Sequence, residues 1–437
     1  MSRLLTFVPP RPRRWLIGLL TPINRGVFLH GMFGRPGLMG IESIEFPAGD
    51  KARFRDAVHP GTAAFIAPNH PEFLTDWLLD KELSARHAPS MASWATHGVV
   101  NGMGALGQRF WLANNLIAQI PGAGGAAGKN YSIGWALAGH AVLLHPEGSV
   151  AWTVDTVQPL FPGVADMAIE AAGRARASGR RVLIVPVVWR YRFTRDVHAA
   201  LERELDLVER KLELAGNRDS TPAARVLGLY SAMLARDEAR WSVHAITGMP
   251  FANRQQALLV ALAQRLDAGL DDVGAQRIEA AAAVNPFERA QQLVRRADRW
   301  ARDTANRASD ARAEIRALAG TLRRITRFNP LWYPHATLSQ EQIAENLKRL
   351  RADYCSTGWR DDLHRFVPRP VGPRVAHVRV PEPIDVSAWI DARPADTASG
   401  ATVLLALLRD RMQTSLDQLA DDLSVGAGFR TYPNPFR

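Results

Sequence analysis

The sequence predicts an α/β fold, a layered core in which helices flank a sheet, together with a large all-helical insertion. Short apolar runs of strand character alternate with helical segments as far as residue 195, which favours a layered α/β core. From 196 to 370 helical periodicity dominates, and strand signals nearly vanish. Strand character returns at 374–380, so the helical region is predicted to interrupt one domain. The alternative is two sequential domains.

The elements of the first part follow from local patterns. Residues 1–38 are predicted to form a helical region, and residues 41–46 alternate as a strand does. Pro71 lies near the start of a helix predicted at 73–83, where the missing N–H costs little. Further strands are predicted at 63–67, 90–95, 116–120, 141–144 and 181–190, and further helices at 98–113, 130–138 and 163–177.

The insertion and the closing segment complete the predicted domain organisation. Helices are predicted at 196–215, 222–239, 254–270, 286–328 and 339–354, the fourth being long enough for an antiparallel hairpin or a protruding coil. A strand at 374–380 and a helix at 402–423 close the core. The predicted domains are an N-terminal membrane-interface region (1–38), the first part of the core (39–195), the insertion (196–370), and the closing part of the core with a C-terminal tail (371–437).

The charge balance points to an anionic partner. The chain has 437 residues, with 54 Lys and Arg against 43 Asp and Glu, for a formal net charge of +11. This favours a membrane surface, nucleic acid, or a phosphorylated or CoA-type substrate. The sequence contains no basic–aromatic binding module, so nucleic acid is not predicted as a partner. The single cysteine, Cys355, lacks the neighbours of a nucleophile and is interpreted as structural, and its solitude fits a reducing, cytoplasmic compartment.

The N-terminal region predicts contact with a membrane surface. Arg11, Arg13 and Arg14 precede Trp15 and a short apolar run. The run is far shorter than the ~20 residues of a spanning helix, and no small-residue cleavage site follows as it would in a signal peptide. A basic, Trp-bearing amphipathic segment is typical of helices that lie in the membrane interface. The alternative is a helix packed on the protein's own core.

The stretch 69–76 predicts a general base. His70 is followed by Asp76, and a nearby carboxylate can orient a histidine ring and stabilise the imidazolium that forms when the ring takes a proton. A second segment, His145-Pro146 followed by Glu147, Gly148 and Ser149, reads as a loop that could grip a polar acceptor. Both segments follow strand-like runs, and sites of open α/β sheets assemble in the loops at the carboxyl ends of strands.

These motifs resemble those of the glycerolipid acyltransferase family, which includes the 1-acylglycerol-3-phosphate acyltransferases. The family carries an Asn-His…Asp block, a Pro-Glu-Gly-Thr/Ser block and a later apolar strand with Val-Pro. They appear here in the same order, at Asn69-His70…Asp76, Pro146-Glu147-Gly148-Ser149 and Ile184-Val185-Pro186-Val187. The resemblance covers roughly 40–195 and resumes near 374–425.

The chain departs from the family's pattern at two places. Five residues separate His70 and Asp76 where the family has four, and one residue turns a helical side chain by about 100°, so Asp76 reaches His70 only if the local turn differs. Glu72 is the alternative partner. The family's Arg-containing block, which helps bind the acceptor phosphate, has no arginine here, and Lys129 after the Gly-rich run 122–128 is the nearest cation.

The resemblance implies a membrane-associated O-acyltransferase of phospholipid biosynthesis. It would move a fatty acyl group from acyl-CoA or acyl carrier protein to a hydroxyl of a lysophospholipid-like acceptor. His70 would be the general base, oriented by Asp76, while Glu147, Gly148, Ser149 and Lys129 would bind the acceptor. No metal or cofactor is implied, and the expected location is peripheral, on the cytoplasmic face of the membrane. The alternatives are a thioesterase or other hydrolase on the same fold, or a non-catalytic lipid-binding homologue; the oligomeric state is not predicted.

Overall fold

The chain divides into two compact units. The computed structural model describes residues 7–32, 36–120, 125–150, 152–244, 248–276, 285–302, 311–355, 358, 364, 367, 369–392, 397–424 and 430–437. One unit comprises Arg3–Arg195 with Phe366–Gly428, and the other comprises Asp196–Arg365 with Phe429–Arg437. The last residues of the chain, predicted to be a tail of the core, therefore belong to the second unit.

The first unit is built on an eight-stranded, mostly parallel sheet. Its strands are β1 (Ile41–Glu45), β2 (Thr62–Pro68), β3 (Ala92–Thr96), β4 (Leu116–Gln119), β5 (Ala141–Leu143), β6 (Arg181–Phe193), β8 (Arg374–Arg379) and β9 (Ile384–Asp385), and the second unit adds β7 (Thr337–Ser339) and β10 (Thr431–Pro433). The strands of the large sheet follow the order β1-β8-β6-β2-β5-β3-β4, with β9 paired to β6. Only β8 and β9 run antiparallel to β6 among the described pairs. The predicted α/β class is confirmed.

Helices cover both faces of the sheet because the central strands are apolar on both sides. Along β2, Phe65 packs against one face and Ile66 against the other. Near-continuous apolar runs of this kind are typical of parallel strands buried on both faces. The helices of this unit are α1 (Arg14–Ile23), α2 (Ala48–Ala57), α3 (Leu74–His87), α4 (His97–Asn101), α5 (Gly104–Ala113), α6 (Gly125–Leu137), α7 (Gly163–Ala175), α14 (Val386–Asp391) and α15 (Thr397–Ser424).

Two helix predictions in this unit differ from the structure in their bounds. The segment 98–113 forms two helices, since α4 ends at Asn101 and Gly104, at the start of α5, takes a left-handed φ of +71° that a continuous helix would not allow. The helix predicted at 130–138 begins earlier, at Gly125, and so includes Lys129. Residues 125–128 of the predicted Gly-rich loop are therefore helical, and residues 121–124 lie outside the described residues.

The second unit is helical, as the periodicity predicted. It contains α8 (His198–Lys211), α9 (Pro222–Trp241), α10 (Phe251–Asp272), α11 (Pro286–Arg302), α12 (Ala311–Ile325) and α13 (Gln340–Tyr354). The long segment predicted at 286–328 is therefore two helices, whose connection lies outside the described residues. The antiparallel pair β7–β10 adds a small sheet that the sequence did not indicate. None of the described helices in either unit is long and apolar enough to cross a membrane.

Candidate functional site

Two loops meet at one edge of the parallel sheet. Strands β2 and β5 are neighbours, with Phe65 opposite Val142 and Ile66 opposite Leu143. Because parallel strands end at the same edge, the loop that carries His70 lies beside the loop that carries Glu147. The sequence prediction that both segments follow strands is confirmed.

Asn69 fixes the first loop to the sheet. Its backbone N–H donates to Val187 at 3.1 Å, and its carboxamide exchanges two hydrogen bonds with the backbone of Trp189, at 2.9 and 3.0 Å. The buried side chain thus continues the pairing with β6 beyond the end of β2. A rigid attachment of this kind holds the next residue, His70, in one place.

His70 and Asp76 are in contact. His70 Nδ1 lies 2.8 Å from Asp76 Oδ2, and the His70 side chain remains 14% exposed while that of Asp76 is fully buried. With Nδ1 directed to the carboxylate, Nε2 is the nitrogen that can take a proton from a bound group. This is the geometry of a histidine general base with an orienting acid.

The extra residue between His70 and Asp76 is absorbed before the helix begins. Helix α3 starts at Leu74, so Asp76 lies in its first turn, where side chains lean back toward the N-terminus. There Asp76 Oδ2 also accepts the backbone N–H of Glu72 at 2.7 Å. In this single position the Asp76 carboxylate both caps the loop and contacts His70. The five-residue separation of His70 and Asp76 therefore does not prevent their contact.

Tyr191 and burial set the electrostatics of Asp76. Tyr191, near the end of β6, donates its hydroxyl to Asp76 Oδ1. Burial raises the pKa of Asp76 well above its ordinary value, and the hydrogen bond from Tyr191 opposes that rise. Burial also lowers the pKa of His70 well below its ordinary value, with a further lowering by His145. His70 is therefore held in the neutral form that accepts a proton.

Glu72 directs its side chain to Arg374, whereas Asp76 contacts the ring of His70, so the alternative of Glu72 as the orienting carboxylate is wrong. Its carboxylate accepts two hydrogen bonds from Arg374 on β8, at 2.6 and 3.1 Å, and one from Thr75 at 2.6 Å. The Arg374 guanidinium also lies 4.7 Å from the centre of the Tyr191 ring. This buried ion pair joins the His70 loop to β8, which lies between β1 and β6 in the sheet.

Glu147 is buried beneath the site. It is 3% exposed, and its two oxygens accept the backbone N–H groups of His70 at 2.9 Å and of Gln158 at 3.4 Å. Burial raises the pKa of Glu147 to about 7. The structure therefore places Glu147 against the backbone of the histidine loop, where it positions His70.

Gly148 and Ser149 are exposed next to Glu147. Gly148 has a φ of +68°, and a Cβ at this position would lie 2.7 Å from ring atoms of Phe161. A side chain is excluded there on both grounds, which explains the glycine. Their predicted contact with an acceptor stays a prediction.

Lys129 is not brought to the other predicted residues. It lies in α6, and its ammonium is 3.3 Å from Asp166 on α7, with both side chains partly exposed. Among the described residues it has no polar contact with His70, Asp76 or Glu147. Its predicted contact with an acceptor phosphate stays a prediction.

Sequence reasoning missed several residues around His70. Asp80 follows Asp76 by four positions, which puts both acids on one face of α3, and an acid repeated on a buried helix face was a usable signal. His145 directly precedes the Pro146-Glu147 motif, but its contact with His70 depends on the pairing of β2 with β5. No sequence pattern pointed to Tyr191 or Arg374, since the two residues come together beside the His70 loop only through the pairing of β6 with β8.

No group of three or more acidic, His or Cys side chains in the described part of the chain could hold a metal ion. Comparisons of the chain with models of protein families, with curated proteins and with solved structures found no match.

Proposed function

We propose that this protein is an acyltransferase that moves a fatty acyl group from a thioester donor to a hydroxyl of a lysophospholipid-like acceptor. The observation that carries the proposal is the 2.8 Å contact between His70 Nδ1 and the buried Asp76, at the edge of a parallel sheet and beside the Glu147 loop. The motif resemblance to the glycerolipid acyltransferases supplies the reaction class. The donor is acyl-CoA or acyl carrier protein.

The chemistry needs one base and no covalent enzyme intermediate. His70 Nε2 takes the proton of the acceptor hydroxyl as its oxygen attacks the thioester carbonyl, and Asp76 stabilises the imidazolium that forms. When the tetrahedral intermediate collapses, the C–S bond breaks, and the proton on His70 passes to the departing thiolate. The products are the acylated lipid and a free thiol.

The exposed apolar stripe of α1 supports a membrane as the source of the acceptor. Trp15, Leu19 and Ile23 recur every four residues along α1 and are exposed, with Trp15 64% exposed, and the exposed Val27 continues this spacing beyond the end of the helix. No residue of α1 is buried, whereas the following turn is held on α3 by Asn24, whose carboxamide donates to Leu78 O at 3.1 Å.

Basic groups lie at the start of the same helix. Arg11, Arg13 and Arg14 are exposed, and the backbone N–H groups of Arg11 and Arg13 donate to Leu112 and Ala113 at the end of α5. Helix α5 begins beside two further exposed apolar side chains, Met103 and Leu106. Apolar side chains beside arginines fit a surface of anionic lipids, into which the stripe inserts between the headgroups.

The decisive experiment measures thiol release from a panel of acyl-CoAs, with and without lysophosphatidic acid and other lysolipids. We expect acceptor-dependent release by the wild-type protein and a loss of about 10²–10⁴-fold in His70→Ala, because removal of a general base has an effect of that size. His140→Phe is the matched control, since His140 packs on Trp135, with ring centres 4.3 Å apart, and should retain activity.

Other outcomes identify the alternatives. Release that needs His70 but no acceptor would make the protein a thioesterase. Transfer unaffected by His70→Ala would contradict the assigned base. If neither acyl-CoA nor acyl carrier protein supports release while lysolipid still binds, the protein is a lipid-binding homologue rather than an enzyme.

A further inference from the structure

A second histidine–aspartate pair stacks directly on the first. The rings of His70 and His145 lie nearly parallel, with centroids 4.0 Å apart and planes 18° apart. His145 contacts Asp80, which lies one helical turn beyond Asp76 on α3. The proposed proton transfer makes no use of this second pair.

Both ring nitrogens of His145 face acceptors. Nδ1 is 3.0 Å from the backbone oxygen of Asn69, which can only accept, and Nε2 is 3.1 Å from Oδ2 of Asp80. A neutral imidazole donates from one nitrogen only, so with Asp80 ionised both contacts are satisfied together when the ring carries two protons. Asp80 is buried, and its other oxygen has no hydrogen-bond partner among the described residues, so His145 is the main counterion of its charge.

We propose that His145 is a positioning residue that holds a positive charge against the face of His70 and thereby keeps His70 in the neutral, proton-accepting form. A second proton on His70 would place two imidazolium rings face to face, which the short separation disfavours. This role deepens the proposed function and rests on it, because the neutral form of His70 matters only if His70 acts as a base.

The direction of the pKa shifts agrees with this role. Burial lowers the pKa of His145, but the charge and hydrogen bond of Asp80 outweigh it, and the net shift is upward. Burial and then His145 lower the pKa of His70. The titratable and charged groups packed around the two rings are Asp76, Asp80 and Lys81 of α3, Glu72 and Glu147 of the loops, Tyr191 of β6, Arg374 of β8 and Arg409 of α15.

Titration of His70 by NMR tests the proposal without substrate. The full-length protein is labelled at the histidine ring carbons, and the His70 signal is assigned by its loss in His70→Ala. His145→Phe keeps a flat ring for stacking and removes the charge. Asp80→Asn keeps the shape of the side chain and a hydrogen bond to Nε2, while it removes the carboxylate that holds the second proton on His145.

We expect the pKa of His70 to rise by about one pH unit or more in both variants. The loss of a negative charge in Asp80→Asn would by itself lower that pKa, so a rise identifies the loss of charge on His145. The acid limb of the thiol-release profile should move to higher pH by the same amount, which lowers activity at a pH below the limb about tenfold per unit. His140→Phe should leave the His70 titration unchanged.

Two results would overturn the proposal. One is an unchanged or lowered pKa of His70 in folded Asp80→Asn. This variant is a sufficient test by itself if His145→Phe does not fold. The other is a His145 signal typical of a neutral ring in the wild-type protein at pH 7. Because the titration needs no acyl donor, a failure of the proposed acyl transfer leaves this result readable, and a failure of the titration leaves the His70→Ala assay intact.

Discussion

At the scale of single residues, the site depends on a few buried polar side chains that hold His70 from several directions. Asp76 orients the ring through Nδ1, and Glu147 accepts the backbone N–H of the same residue. Asn69 ties the residue before it to β6. Each of these groups is buried and hydrogen-bonded, so the position of His70 is fixed before any substrate binds.

The titration of Glu147 should make stability depend on pH. Its pKa is raised from 4.5 to about 7, so the folded state binds the proton more tightly than the unfolded chain does. The stabilisation is complete below about pH 4.5 and is lost as the pH rises through 7, and the difference corresponds to about 3 kcal/mol. We expect the free energy of unfolding of Glu147→Gln, relative to wild type, to increase by about 2–3 kcal/mol between pH 5 and pH 8.

Urea unfolding at the two pH values measures this difference. The control is Glu42→Gln, which makes the same chemical change at an exposed position on β1. A pH-independent effect of Glu147→Gln would mean that Glu147 titrates as it does in the unfolded chain.

At the scale of elements, the site is held between α3 and two strands. The first turn of α3 supplies Asp76, and its next turn supplies Asp80. β6 continues beyond its pairing with β2 to place Tyr191, and there β8 pairs with it antiparallel and brings Arg374 back to the loop. β8, which is separated from β6 in sequence by the whole second helical region, thus completes the surroundings of the His70 loop.

Breaking the Arg374–Glu72 pair should strongly destabilise the first unit. Arg374→Met leaves the buried Glu72 carboxylate without its guanidinium, and loss of one partner of a buried pair costs about 3–5 kcal/mol. Arg379→Met is the control on the same strand, because Arg379 lies 3.8 Å from the exposed Asp422, and such a pair contributes less than about 1 kcal/mol.

The free energies of unfolding of the two variants, measured by urea titration, distinguish them. A further substitution, Glu72→Leu, in the Arg374→Met protein should recover part of the loss, since it removes the unpaired charge. Equal effects of Arg374→Met and Arg379→Met would show that the buried pair has no special weight.

At the scale of the whole molecule, the N-terminal helix should govern attachment to lipid. We expect the wild-type protein to sediment with vesicles that contain anionic phosphatidylglycerol, and binding to fall at least about tenfold in the double variant Trp15→Glu, Leu19→Glu. Each substitution removes apolar area worth about 1.5–3 kcal/mol on burial and adds a charge repelled by the surface. Undiminished sedimentation of the double variant would contradict a membrane-facing α1.

Leu331 provides the control for that experiment. It is 83% exposed in the second unit, so Leu331→Glu removes comparable apolar surface from a region outside the proposed lipid surface. Its vesicle binding should equal that of the wild-type protein. Neutral phosphatidylcholine vesicles separate the apolar contribution of α1 from that of Arg11, Arg13 and Arg14.

Most of the architecture was accessible from the sequence because its signals are local. Apolar runs predicted the strands, helical periodicity predicted the second unit, and the motif after β2 predicted His70 and Asp76. The failures occurred where the local signal was weak. Gly104 divides a helix through its left-handed backbone, and α6 begins inside a glycine-rich run that reads as a loop.

By itself, then, the sequence determined the alternation of strands and helices, the edge of the sheet at which polar loops gather, and the histidine at that edge with two candidate acids, Asp76 and Glu72; the structure chose Asp76. Only the tertiary structure decided that Glu72 binds Arg374, that Glu147 lies beneath His70, and that His145 stacks on its ring. These contacts join residues that lie up to 302 positions apart in the chain. Side chains of that separation meet only after the strands have paired, so no local pattern could have specified their partners.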